Sequence, residues 1–113
     1  MSMIGGIGSA ITGSASTAVS AAGSAIGTAT LLISGFNAVT TATGLQGVQL
    51  QAGLIGDAQV VFNNTTVPIS VYPYASTARI NQVALGGAHI LSPYTACMYL
   101  VASATQHIGF LSA

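Results

Sequence analysis

Asp57 and Arg79 are the only residues of this 113-residue chain that carry a formal charge, and it contains no lysine. An ordinary soluble domain is about 25% Asp, Glu, Lys and Arg, against 2% here. A compact monomer of this length exposes roughly 5,600 Å² by size scaling, and that area has to be covered by Ser, Thr, Asn, Gln, Gly and apolar groups. With a net charge near zero, nothing holds copies apart in solution. The composition therefore implies a surface that is buried against something else.

The same scarcity excludes whole classes of partner. Nucleic-acid binding draws most of its affinity from Lys and Arg on phosphates, so no direct nucleic-acid contact is expected. Attachment to anionic lipid through a basic patch fails for the same reason, and purely hydrophobic insertion is the remaining form of membrane contact. No Lys or Arg precedes the apolar residues at the start of the chain, so the opening does not read as a secretory signal. That favours a virion component over a secreted pilus. Cys97 is the single cysteine; it cannot form an internal disulfide and reads as a small buried hydrophobe.

The chain changes texture near Gly44. Up to Thr30 it is mostly Gly, Ala, Ser and Thr, with larger residues at helical steps: Ile4, Ile7 and Ile11, then Ala15, Ala18, Val19, Ala22, Ile26 and Ile33. This stripe predicts an N-terminal helix. Such a helix is weak alone, because each Gly costs about 1 kcal/mol relative to Ala, so packing has to support it. Ser9 with Gly13 and Gly23 with Gly27 form small-xxx-small pairs that suit close helix contacts. The most apolar window, 18–39, is long enough to span a bilayer but has no Trp, Tyr, Lys or Arg to anchor it.

Beyond Gly44 the period shifts towards two. Val48, Leu50, Ala52 and Leu54 alternate with Gly47, Gln49, Gln51 and Gly53, as in a half-buried strand. Ala58 to Phe62 and Val67 to Tyr72 read as a hairpin across Asn63, Asn64, Thr65 and Thr66, with Pro68 at an edge or strand start. A second hairpin is expected from Arg79 to Leu85 and Ala88 to Leu91 across Gly86 and Gly87. Tyr94 to Ser103 and Gln106 to Leu111 follow as further strands, with a helix over 94–105 as the competing assignment. The expected fold class is α+β: an apolar, small-residue-rich helical segment over 1–43, then a compact antiparallel β unit over 44–113.

Little in the chain can do chemistry. General acid-base catalysis needs two positioned titratable groups, and the candidates are Asp57, His89 and His107. No Gly-x-Ser-x-Gly elbow accompanies them. His89, His107, Cys97 and Asp57 lack metal-ligand spacing, and Gly5-Gly6-Ile7-Gly8 has no preceding strand and no lysine to make a phosphate loop. An enzyme, a cofactor and a metal are accordingly not expected. Asp57 and Arg79 could pair to set register within the chain or between chains. Tyr72, Tyr74, Tyr94 and Tyr99 suit either an interface or the core. Asn63 and Asn64 both head Asn-x-Thr sequons, but read first as turn residues.

No motif identifies a family. The layout resembles pilins in outline, but the charged processing site and dense apolar helix of those proteins are missing. The expectation is a self-assembling structural subunit of a virion or extracellular filament. Its partners would be other copies of itself and other structural proteins of the same assembly. Lipid contact through the N-terminal helix belongs to the alternative, a small membrane protein with one span near 18–39.

Overall fold

The computed structural model describes residues 14–112, and within them the chain is all β with no helix. Ten strands follow one another: β1 Ala15–Ser20, β2 Thr30–Leu31, β3 Phe36–Thr41, β4 Gly47–Gln49, β5 Ala58–Asn63, β6 Ile69–Tyr72, β7 Arg79–Ile80, β8 His89–Leu91, β9 Ala96–Ser103 and β10 Gln106–Leu111. They form a six-stranded sheet, ordered β1-β3-β5-β9-β10-β7, and a four-stranded sheet, ordered β2-β4-β6-β8.

The order describes a short β-solenoid. Consecutive strands β1 and β2, β3 and β4, and β5 and β6 each place one strand in the large sheet and the next in the small one. Successive coils stack in parallel, with Ala15 beside Phe36, Phe36 beside Val60, Thr30 beside Val48 and Val48 beside Val71. The winding then reverses. β8 lies antiparallel to β6, β9 lies antiparallel to β5, and β10 folds back on β9 as a true antiparallel hairpin.

The core fills the space between the sheets. Leu32, Val48, Leu50, Ile69, Val71 and Leu91 approach from the small sheet and Val39, Val61, Cys97 and Tyr99 from the large one, all at most 1% exposed. Strict alternation in β5 and β9 puts every second side chain into this layer, as the pleat requires. The cluster takes residues from both sides of position 43, Ala21, Leu32 and Val39 included.

The expected N-terminal helix is thus overturned over the described residues. Residues 15–41 form β1, β2 and β3 instead, so the helix expected over 18–39 is not seen, and no described helix is long and apolar enough to cross a membrane. A segment of Ala, Gly, Ser and Thr has few large side chains to separate a period of 3.6 from one of two, and its poor helix propensity leaves the backbone to whichever partner is near. Here β3 is that partner. The supposed stripe scatters: Val19 packs against the core, Ala18 is exposed and Ile33 is 70% exposed. Gly23 and Gly27 lie in the connection between β1 and β2, where Gly23 has φ +67° and a Cβ would collide with Thr28. Ile4, Ile7, Ile11, Ser9 and Gly13 lie outside the described residues.

Two expected hairpins are corners. β5 and β6 sit in different sheets, as do β7 and β8, so Asn63–Thr66 and Gly86-Gly87 turn the chain from one layer to the other. The helical alternative over 94–105 is replaced by β9.

Candidate assembly surface

The large sheet is more polar on its inner face than on its outer one. Inward from β3, β5 and β10 come Asn37, Gln59, Asn63 and His107, each at most 2% exposed. Burial of these amide groups is tolerated because most of their polar atoms are bonded, Asn37 Oδ1 being without a partner among the described residues. Asn37 Nδ2 donates to the Ser34 carbonyl at 2.8 Å and the Val60 carbonyl at 3.1 Å. Gln59 Nε2 donates to the Ser34 carbonyl at 3.0 Å, and its Oε1 accepts from the Gln51 N–H at 2.9 Å. Asn63 bonds the Val67 and Leu91 carbonyls and accepts from the backbone N–H and hydroxyl of Thr65. These amides tie strand ends and corners together, occupying places a larger hydrophobic core would fill.

The outer face carries the opposite chemistry. Pairing registers align Ala15, Phe36, Val60, Met98 and Phe110 in one row across β1, β3, β5, β9 and β10. Ala58, Leu100 and Ile108 form a row on one side of it, and Ala38, Phe62 and Ala96 a row on the other. Phe36, Met98 and Phe110 are 39%, 40% and 51% exposed. A sheet with one face to water normally alternates apolar inside with polar outside; Val60, Phe62, Met98, Leu100, Ile108 and Phe110 break that rule. None of the rows contains a charge.

Among the described residues, a second exposed region lies at the β1–β2 end of the solenoid. β1 and β2 are the terminal strands of their sheets, and between them lies a groove of about 350 Å³ lined by Ser16, Val19, Thr30, Leu31, Ile33 and neighbours. At the opposite end the large sheet finishes with β7, parallel to β10, and the small sheet with the reversed strand β8.

Of the residues singled out for chemistry, His89 and Cys97 are both linked to Tyr99, while Asp57, Arg79 and His107 lie elsewhere in the fold. Asp57 is fully buried and its Oδ2 accepts from the Leu54 N–H at 2.8 Å, closing the turn in which Gly56 has φ +96°. Arg79 opens β7, with β9 and β10 standing between it and β5. His89 Nδ1 is 2.8 Å from the Tyr99 hydroxyl. His107 accepts from the Tyr74 N–H at 3.4 Å and meets the Tyr74 ring edge-on, with centroids 5.8 Å apart. Burial lowers the pKa of both histidines and raises those of Cys97 and Tyr99. No three of His, Cys, Asp and Glu converge among the described residues. The tyrosines divide: Tyr72 and Tyr99 are buried, Tyr74 is half-buried and Tyr94 is 60% exposed. Of the two sequon asparagines, Asn63 is buried and Asn64 exposed.

Sequence reasoning missed the outer rows. Their signal was present in Ala58-Gln59-Val60-Val61-Phe62 and Ala96-Cys97-Met98-Tyr99-Leu100, where apolar residues occupy both parities of a strand. No protein-family model, no curated protein and no solved structure matches the chain.

Proposed function

We propose that this protein is a self-assembling structural subunit, a virion coat component or an element of an extracellular filament, that buries its uncharged surface against other copies. The apolar, charge-free outer face of the six-stranded sheet carries this reading. Exposed apolar patches of several hundred Å² mark interaction surfaces. Here the patch lies on a regular, rigid face rather than on loops, which suits a repeated contact. The large sheet turns Asn37, Gln59 and Asn63 inward, so water gains few partners on the apolar rows of its outer face. Low charge also keeps the association independent of ionic strength.

The test is sedimentation and negative-stain electron microscopy of protein prepared without detergent. Defined oligomers, filaments or closed shells are the expected result. A monodisperse monomer at tens of micromolar, or protein recovered only in detergent-extracted membranes, rejects the reading.

A further inference from the structure

We infer that the outer face of the large sheet packs on the same face of a second copy, about a two-fold axis passing beside Val60; this rests on the assembly reading above and specifies its first contact. Five strands at about 4.8 Å spacing and about 20 Å long give a footprint on the order of 500 Å² per copy. Two such faces bury roughly 1,000 Å² in total, the lower bound for a specific interface, before the relief of the side chains adds to it.

A second copy is the occupant that the face fits. Sheets pack face to face at about 10 Å with strands within about 30° of each other, which requires a partner of matching twist. An identical sheet has that twist by construction. The face is also uncharged, so a charged partner would lose the hydration of its ions and receive no counter-ion in return, whereas this face brings none to desolvate. Side-chain volumes are self-complementary as well. In the row Ala15, Phe36, Val60, Met98, Phe110, an axis parallel to the strands sets Val60 against itself, Phe36 against Met98 and Ala15 against Phe110. Large meets small at the ends, and sulfur meets ring between them, a favourable contact. Hydrocarbon is a poorer cover. Among the described residues the sheet ends in the strands β1 and β7, and backbone groups on such edges would be stranded in lipid.

The experiment compares the wild type with Met98→Lys, Val60→Lys and Ile55→Lys by sedimentation equilibrium without detergent, with circular dichroism as the check of fold. Met98 is 40% exposed, so its lysine is accommodated in the free chain, and it carries the test if Val60→Lys fails to fold. Ile55, 75% exposed in the turn before β5, is the control for added charge alone. The expected result is that Met98→Lys weakens self-association about a hundredfold or more, because each contact then buries two like charges, while Ile55→Lys does not. If Met98→Lys assembles as the wild type does, or if Ile55→Lys disperses the protein equally, the face-to-face contact is wrong and the assembly reading stands. If the wild type itself is monomeric, or enters only lipid vesicles, both fall.

Discussion

The Asn63 side chain reaches from the end of β5 to the Leu91 carbonyl at the end of β8, 3.0 Å away across 28 residues of sequence. This bond joins the large sheet to the last strand of the small one. The same amide nitrogen donates to the Val67 carbonyl at 2.8 Å, and its oxygen accepts from the Thr65 N–H at 3.1 Å and hydroxyl at 2.7 Å. Asn63→Ala leaves several buried groups without their partner and is expected to cost about 2–4 kcal/mol. Asn63→Asp is expected to be at least as damaging, since it replaces the donor to two carbonyls with a buried acceptor. Urea denaturation at fixed protein concentration measures both, and a loss below about 1 kcal/mol would show that the corner is not held this way.

Gly47 is required by the ring of Tyr72. A Cβ at position 47 would stand 2.6 Å from Tyr72 Cε2 and 3.2 Å from the Ala29 Cβ, and Tyr72 is only 7% exposed, so its ring is packed on both sides. Gly47→Ala is expected to destabilise by about 1–3 kcal/mol through overpacking. Gly44→Ala, where a Cβ would meet nothing within 4 Å, should change stability by less than about 0.5 kcal/mol. Thermal melts of the pair check the contrast.

Stability should fall below neutral pH. His107 is 2% exposed, and burial holds its pKa below the ordinary value. The unfolded chain, with a histidine pKa of about 6.5, then takes up a proton before the folded one. The stabilisation from the neutral ring is complete above about pH 6.5, is lost as pH falls from there towards the folded pKa, and levels off beneath it, with a slope of at most about 1.4 kcal/mol per pH unit. His89, also lowered by burial, acts in the same direction. His107→Gln should flatten the dependence in urea titrations taken at successive pH values. An unchanged slope would place its origin elsewhere.

Salt should matter little to association. With Asp57 and Arg79 as the only charges, and Asp57 fully buried, screening has almost nothing to act on. The association constant is expected to stay within about threefold between about 0.05 M and about 0.5 M sodium chloride. Sulfate should strengthen it by favouring apolar burial. A steep fall with sodium chloride would indicate an electrostatic contact instead.

Parts of the fold were legible because their residues are large and alternate. Gln106 to Leu111 and the run ending at Ser103 were read as strands, but not as partners; that β9 and β10 form a hairpin came from the structure. Ala58 to Phe62 and the run ending at Tyr72 were recognisable as strands, but their partners were not. Asn63–Thr66 turns the chain by much the same local chemistry whether the next strand pairs with the last or enters the facing sheet. The region before Gly44 misled for a different reason. Where most side chains are Ala, Gly, Ser or Thr, helical and strand periods match equally well, and the choice passed to the pairing of β1 with β3.

By itself the sequence determined that this protein has almost no charge with which to keep apart from its neighbours, bind phosphate or build a catalytic pair, because those properties depend on which side chains exist. It also marked the turn at Gly86, which adopts positive φ with little strain. Only the tertiary structure decided that the strands coil in parallel, that Asn37, Gln59 and Asn63 point inward, and that Phe36, Val60, Met98 and Phe110 line up on the outside. Alignment across a sheet depends on registers between segments more than twenty residues apart. Those registers are set by backbone pairing and core packing together, and no local pattern encodes them.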